Sequence, residues 1–265
     1  MTPPISPGQL LATETPGQLE ALGELAGFGG FHGGLALALI TRAMQQRVAD
    51  MTLRSATARF HRPLEGAFEI EVTTLREGRT TSMLAARALG EDGVGLDGTG
   101  VFGAEKLLDA PVFEPLAPAA APHSECERFA LPVEFVPITA YLEIRPVGPN
   151  RPYAGGDDPE LTAWIRMTED EQPPDQLRFL FMMDALAPSY AAVLNTPIFV
   201  PTVELTVLPG PKLSEAESPW ILLHARTSAC ARGWAQEQID AWGVDGSYLG
   251  SAQQLRVLRA VQGTP

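Results

Sequence analysis

The chain has 265 residues, 45% hydrophobic and 19% charged, with a net charge of -13 at pH 7, a mix that suits one large globular domain or two smaller ones with cores of their own. The acidic balance argues against broad nucleic-acid binding, which needs a basic face to displace counterions. No apolar run reaches the ~18 residues of a membrane-spanning helix, so no membrane partner is expected. Cys126 and Cys230 are too few for a disulfide framework or a zinc site of their own. Residues 1–8 lack a basic region followed by an apolar one, so the cytosol is the expected compartment.

Residues 1–24 are rich in Pro, Gly and Gln, with room for a short edge strand near Gln9 to Ala12. Gly27-Phe28-Gly29-Gly30-Phe31-His32-Gly33-Gly34 then forms a glycine-rich turn leading into Leu35 to Val48, a stretch of strong helix formers. Such a lead-in leaves N–H groups unshielded at the positive end of a helix, a ready site for an anion or an oxyanion. It equally permits close helix packing. Strands are expected over Leu53 to Phe60, Ala67 to Leu75, Thr80 to Leu89 and Val94 to Phe102, with Glu77-Gly78 and Gly90-Glu91-Asp92-Gly93 as turns. Gly93-Val94-Gly95-Leu96-Asp97-Gly98 matches the dinucleotide pattern G-x-G-x-x-G, yet no helix begins after it, so it reads as a hairpin and strand.

Residues 105–125 space Pro111, Pro115, Pro118 and Pro122 among alanines, the composition of a semi-rigid linker. Strands follow over Phe135 to Val147 and Leu161 to Thr168. Leu177 to Pro188 then reads as a helix apolar nearly all round, and therefore buried, with Asp184 in its middle. A buried carboxylate without partners is costly, which marks Asp184 as a functional candidate or as a structural Asp bonded to a neighbouring strand. Four more strands are expected: Val200 to Leu208, Trp220 to Ser228, Trp234 to Trp242 and Tyr248 to Val257.

The order helix, strand, bend, strand, turn, strand, hairpin, strand thus occurs twice. Pro63 corresponds to Pro209 and Asp92-Gly93 to Asp245-Gly246, with the extra residues of the second copy in the loop around Ser214 to Pro219. Carried back at the Pro63 spacing, Asp184 falls on Ala38. Only the second copy keeps a carboxylate on its helix; only the first keeps the glycine-rich lead-in. Boundaries follow as residues 1–104, a linker over 105–127, and residues 128–265.

Several sequence features resemble the acyl-CoA thioesterase II family, whose members have a double-hotdog fold. They are Phe28-Gly29-Gly30, Phe60-His61-Arg62-Pro63, Thr74-Leu75-Arg76-Glu77-Gly78-Arg79, Leu142-Glu143-Ile144-Arg145-Pro146-Val147, Ala163-Trp164-Ile165-Arg166, the Asp184 helix, Thr202 opening a strand, and Gln253-Gln254. The resemblance implies an α+β fold of two helix-wrapped antiparallel sheets joined as one continuous sheet. It also implies hydrolysis of acyl-CoA without metal or cofactor, and a homodimer or larger assembly. An Asp, a Thr and a Gln of the second unit orient the attacking water; the matching positions are Asp184, Thr202 and Gln254, with Gln253 the alternative if the last strand slips by one. His32-Gly33-Gly34 also resembles the His-Gly-Gly signature of single-domain hotdog thioesterases, which implies an oxyanion or substrate-binding role opposite Asp184.

Other readings are weaker. No G-x-S-x-G is present, so a nucleophile elbow has no support. Arg59, Arg62, Arg76, Arg79 and Arg87 read as exposed strand positions rather than a phosphate site. A hotdog hydratase or dehydratase needs an Asp/His pair, and the Asp184 element carries no His. A non-catalytic acyl-CoA-binding protein would keep the fold without turnover.

Overall fold

The computed structural model describes residues 5–13, 19–105, 111, 113–169 and 171–259. In chain order the first half contains α1 (Pro7–Ala12), β1 (Leu19–Ala21), the short ribbon β2 (Ala26–Gly27) and β3 (Gly30–Phe31), α2 (Gly33–Gln45), β4 (Thr52–Phe60), β5 (Gly66–Arg76), β6 (Thr81–Gly90) and β7 (Gly93–Gly103). The second contains β8 (Leu142–Val147), β9 (Glu160–Met167), α3 (Gln176–Met182), β10 (Thr202–Pro209), β11 (Ile221–Ala231), β12 (Trp234–Gly243) and β13 (Tyr248–Val257). Apart from the ribbon, all strands join one 11-stranded antiparallel sheet in the order β1-β5-β6-β7-β4-β10-β13-β12-β11-β9-β8.

The two halves meet where β4 pairs with β10, each the strand that follows its half's helix. Thr57 lies opposite Thr206, Ala58 opposite Leu205 and Ala56 opposite Val207. The two threonine hydroxyls share a hydrogen bond of 2.9 Å across the seam. Equivalent strands pairing antiparallel is what a local two-fold axis requires. A single core of buried residues extends across both halves.

Helix α2 lies in the concave face of the sheet with α3 beside it, so Leu35 to Met44 are buried on every side. The strands under α2 carry small residues at alternate positions: Ala56 and Ala58 on β4, Ala86 and Ala88 on β6, Gly98 and Gly100 on β7. A Cβ on Gly98 would fall 2.6 Å from the Ile40 Cδ1 and 2.4 Å from the Thr57 carbonyl oxygen. The glycines of the dinucleotide-like motif therefore sit in a strand, where Gly98 gives the helix room to approach the sheet and Gly95 makes room for Leu64.

Four expectations are corrected. Residues 7–12 form helix α1 and not an edge strand: the Ser6 hydroxyl accepts from the Gln9 N–H at 3.2 Å, the Gln9 side chain accepts from the Ser6 N–H at 3.0 Å, and Pro7 occupies the first turn. The strand expected from Phe135 begins only at Leu142, because Pro137–Tyr141 is a 3-10 turn. Helix α3 ends at Met182, so Asp184 follows the helix instead of lying in its middle. Bonds from Asp184 N to Phe181 O and from Ala185 N to Met182 O tighten the exit. The chain from Ala185 to Pro188 is apolar because it walls a cavity, not because it continues the helix. The connection from Met182 to β10 is also much longer than that from Gln45 to β4, so Asp184 and Ala38 do not occupy equivalent places.

Within the linker, residues 106–110 and 112 lie outside the described residues. Beyond them the chain is pinned to the sheet at Pro115, Ala121 and His123. The Trp164 indole N–H donates to the Ala121 carbonyl at 2.8 Å, that of Trp242 to the Pro115 carbonyl at 3.1 Å, and the His123 ring stacks on Trp220. Trp164, Trp220 and Leu222 alternate with core-facing neighbours, so the linker covers the face of the sheet away from the helices. Among the described residues, no helix is long and apolar enough to cross a membrane.

Gly98→Ala forces a methyl between Ile40 and the Thr57 backbone, and overpacking of this kind costs ~1–3 kcal/mol. Urea unfolding of this variant is expected to show a lower midpoint at an unchanged m-value.

Candidate active site

The first turn of α2 and the chain leaving α3 touch at Gly34 and Asp184. The Gly34 N–H donates to Asp184 Oδ2 at 2.8 Å. A Cβ on Gly34 would lie 2.7 Å from the Asp184 Cβ and 2.8 Å from the Phe181 carbonyl oxygen, so only glycine allows this approach. The carboxylate thereby satisfies one of the helix's orphan donors and sits at the positive end of its dipole. Its other oxygen, Oδ1, accepts from the Gln254 amide Nε2 at 3.1 Å.

Gln254 is in turn oriented by Thr202, whose hydroxyl donates to Gln254 Oε1 at 2.8 Å. Strand parity decides between the two glutamines. On β13 Gln253 is exposed whereas Gln254 is buried and faces the site. Thr202 opens β10, and Gln254 stands in the adjacent strand; their side chains meet across a bulge between Thr202 and Glu204.

His32 caps α2. Its Nδ1 accepts from the Leu35 N–H at 3.2 Å, which leaves the proton on Nε2, and Nε2 donates to the Asp184 carbonyl oxygen at 3.2 Å. The ring packs edge-on against Phe181 and is 5% exposed. Burial pushes the His32 pKa below its ordinary value of 6.5, with the Asp184 carboxylate pulling the other way. Both ring nitrogens are thus committed to holding the backbone around Asp184, and neither is left for a substrate.

Four N–H groups begin α2. Those of Gly34, Leu35 and Ala36 are taken by Asp184, the His32 ring and the His32 carbonyl. Gly33, partly exposed, lines the cavity beside Asp184. That cavity, of about 260 Å³, is also lined by Thr202, Phe60, Ile138, Leu186 and Phe199. The exposed His61, Arg62 and Arg259 stand at its open side. Behind Leu131, Leu186 and Ala187 lies a smaller apolar pocket lined by Phe129, Ile144 and Leu161.

All six residues singled out in the sequence, Asp184, Thr202, Gln254, Gly33, Gly34 and His32, are therefore gathered at one place. Sequence reasoning missed Arg256 and Glu237. Arg256 Nη1 donates to the Thr202 hydroxyl at 2.9 Å and its Nε to Glu237 at 2.7 Å. Arg256 follows Gln254 by two residues in a strand and so shares its face, which was the available signal. No group of three or more His, Cys, Asp or Glu side chains capable of holding a metal ion occurs among the described residues.

A sheet duplicated about a seam, with a helix held in its concave face, defines a double hotdog protein. A hot dog fold protein of unknown function from Alicyclobacillus acidocaldarius superposes with a TM-score of 0.86 at 21% identity, over 95% of this chain and 97% of that one. The acyl-CoA thioesterase II TesB2 of Mycobacterium marinum superposes at 0.75 and 15% identity, over 98% and 100% of the two chains. The tesB protein of Mycobacterium avium subspecies paratuberculosis does so at 0.75 and 17%, over 96% and 98%. These likenesses are of fold. Residues 24–103 match the model of the acyl-CoA thioesterase N-terminal domain and residues 114–258 that of the C-terminal domain, so the chain belongs to the acyl-CoA thioesterase family. A search of curated proteins finds no significant match.

Because folded His32 releases its proton more readily than unfolded His32, the unfolded chain binds more protons as pH falls below 6.5. The stability linked to neutral His32 is fully present above that pH and is lost on acidification. His32→Asn keeps a helix-capping side chain without the titration. Its melting temperature is expected to fall less steeply than the parent's between pH 6.5 and 5.

Proposed function

We propose that this chain hydrolyses acyl-CoA to a carboxylic acid and CoA, with Asp184 as the general base. The observation that carries the reading is a carboxylate lining the cavity with each oxygen held from behind, Oδ2 by the Gly34 N–H and Oδ1 by the Gln254 amide. A thioester carbonyl is electrophilic enough for attack by a positioned water, so no covalent nucleophile is required. Asp184 takes one proton of that water as its oxygen adds to the carbonyl carbon. Thr202 Oγ1 keeps a lone pair after accepting from Arg256, and that lone pair receives the second hydrogen of the water.

The tetrahedral oxyanion is stabilised by the Gly33 N–H at the positive end of α2. Collapse expels the CoA thiolate, which recovers the proton from Asp184. The acyl chain runs along the apolar wall of Leu131, Leu186 and Ala187, and the phosphates of CoA stay near Arg62 and Arg259 at the open side, a role the sequence did not suggest for Arg62, which follows its strand and lines the cavity. The protein works as a homodimer or larger assembly. Phe113 and Leu116, 93% and 92% exposed, support this as apolar knobs that a second copy would cover, and sedimentation as a monomer would remove it.

One contact bears on the rival chemistry. His32 Nε2 stands 4.0 Å from Asp184 Oδ2, an Asp/His pair of the kind a hydratase or dehydratase uses. Both His32 nitrogens are nonetheless engaged with backbone groups, which favours hydrolysis.

Thiol release from acyl-CoAs of graded chain length is expected from the parent protein and lost at least 100-fold in Asp184→Asn, with acyl-CoA still raising the melting temperature of the variant. Stabilisation without any release by the parent would make the chain a binding protein instead. The oxyanion donor is tested by two substitutions that add the same Cβ. Gly33→Pro removes the N–H at a helix position that tolerates proline, whereas Gly33→Ala keeps it. The proline variant is expected to have a kcat lower than the alanine variant by ~100-fold or more, and equal rates would move the oxyanion elsewhere.

A further inference from the structure

We infer that Arg256 is a positioning residue for this reaction, whose guanidinium decides the direction in which the hydrogen-bond chain from Thr202 through Gln254 to Asp184 runs. The inference rests on the hydrolysis proposed above. Arg256 is 6% exposed and its partner Glu237 3%, so both charges are inside the protein. A buried ion pair adds little stability over an apolar pair of similar volume. An apolar pair, however, has no donor to offer Thr202.

A guanidinium has five N–H donors and no acceptor. At 2.9 Å from Arg256 Nη1, the Thr202 oxygen therefore accepts, and its single proton must go elsewhere. It goes to Gln254 Oε1 at 2.8 Å. With its oxygen so occupied, the amide presents Nε2 to Asp184 Oδ1 at 3.1 Å. Without the guanidinium the chain has a second arrangement: the amide turns over, Nε2 donates to Thr202, and Oε1 faces the carboxylate. Two acceptors then oppose each other, and Asp184 loses the donor that holds Oδ1 and is displaced from the position in which it serves as a base. Arg256 leaves only the productive arrangement.

Glu237 completes the device. One carboxylate oxygen accepts from Arg256 Nε at 2.7 Å and the other from the Ser189 N–H, which begins where the cavity wall from Ala185 to Pro188 ends. The guanidinium is thereby tied to the segment that carries Asp184.

Removing Arg256 alone would strand the Glu237 carboxylate, so the test uses Arg256→Met together with Glu237→Gln, in the parent and in Thr202→Val. In the parent background the paired change is expected to lower kcat by roughly 10- to 100-fold with KM within about 3-fold. In the Thr202→Val background the same change should lower kcat by less than about 3-fold, because the link through which Arg256 acts is already cut. Arg256→Lys, which still donates, should recover most of the rate. Equal losses in both backgrounds would mean a merely structural role, and an unchanged kcat in the parent background would likewise overturn the assignment while leaving the hydrolysis intact. Full activity in Asp184→Asn, or no turnover by the parent, would overturn both. If the methionine pair does not fold, Arg256→Gln with Glu237→Gln takes its place, with the same expected pattern, since its amide can donate or accept and so sets no direction.

Discussion

The bond between the Gly34 N–H and Asp184 Oδ2 is the constraint on which the rest of the site depends. It joins the start of the first half's helix to the end of the second half's, so neither half holds the site alone. It demands backbone contact at a distance no side chain allows, which accounts for glycine at 34. It also places a carboxylate at the positive end of a 13-residue helix, where the macrodipole favours negative charge. His32 closes the arrangement by bonding to the Leu35 N–H on one side and the Asp184 carbonyl on the other.

The local two-fold axis creates a second place of the same kind at the other end of the helix pair. There Gln176 exchanges hydrogen bonds with both the N–H and the carbonyl of Leu53, and the neighbouring Asp175 carboxylate is spent on capping its own helix, accepting from the Arg178 N–H at 2.8 Å. The two ends thus differ: one carries an acid beside a cavity, and the other is closed by a side-chain amide and a helix cap. The glycine-rich lead-in of one copy and the acid of the other are complementary halves of the end that stayed open.

Alternation made most strands readable, because a sheet with one face on the core and one toward solvent shows itself at a period of two. It failed where another constraint produced apolar residues. The run from Leu177 to Pro188 reads as one helix, yet its last third is apolar for the sake of the cavity. Residues 135–141 look extended, but Pro137 opens a 3-10 turn there. At residues 7–12 the opposite happened: Ser6 and Gln9 form a capping box with Pro7 in the first turn, a signal that was present and outweighed by the Pro/Gly content around it.

Composition and pattern alone were enough for the repeated helix-plus-strands order and the rejection of a dinucleotide site at residues 93–98, since each rests on local spacing, and they drew attention to Asp184 through an apolar run that they misread as one helix. Partnerships were left to the tertiary structure. That Gln254 rather than Gln253 faces Asp184 depends on the register of β13 against β10 and β12, and a slip of one residue reverses it. That Arg256 and Glu237 stand behind Thr202 depends on which strands become neighbours after the halves pair. Hydrogen bonds span only about 3 Å, so residues as far apart in the chain as Gly34 and Asp184 become partners only when the whole sheet has closed around its helices.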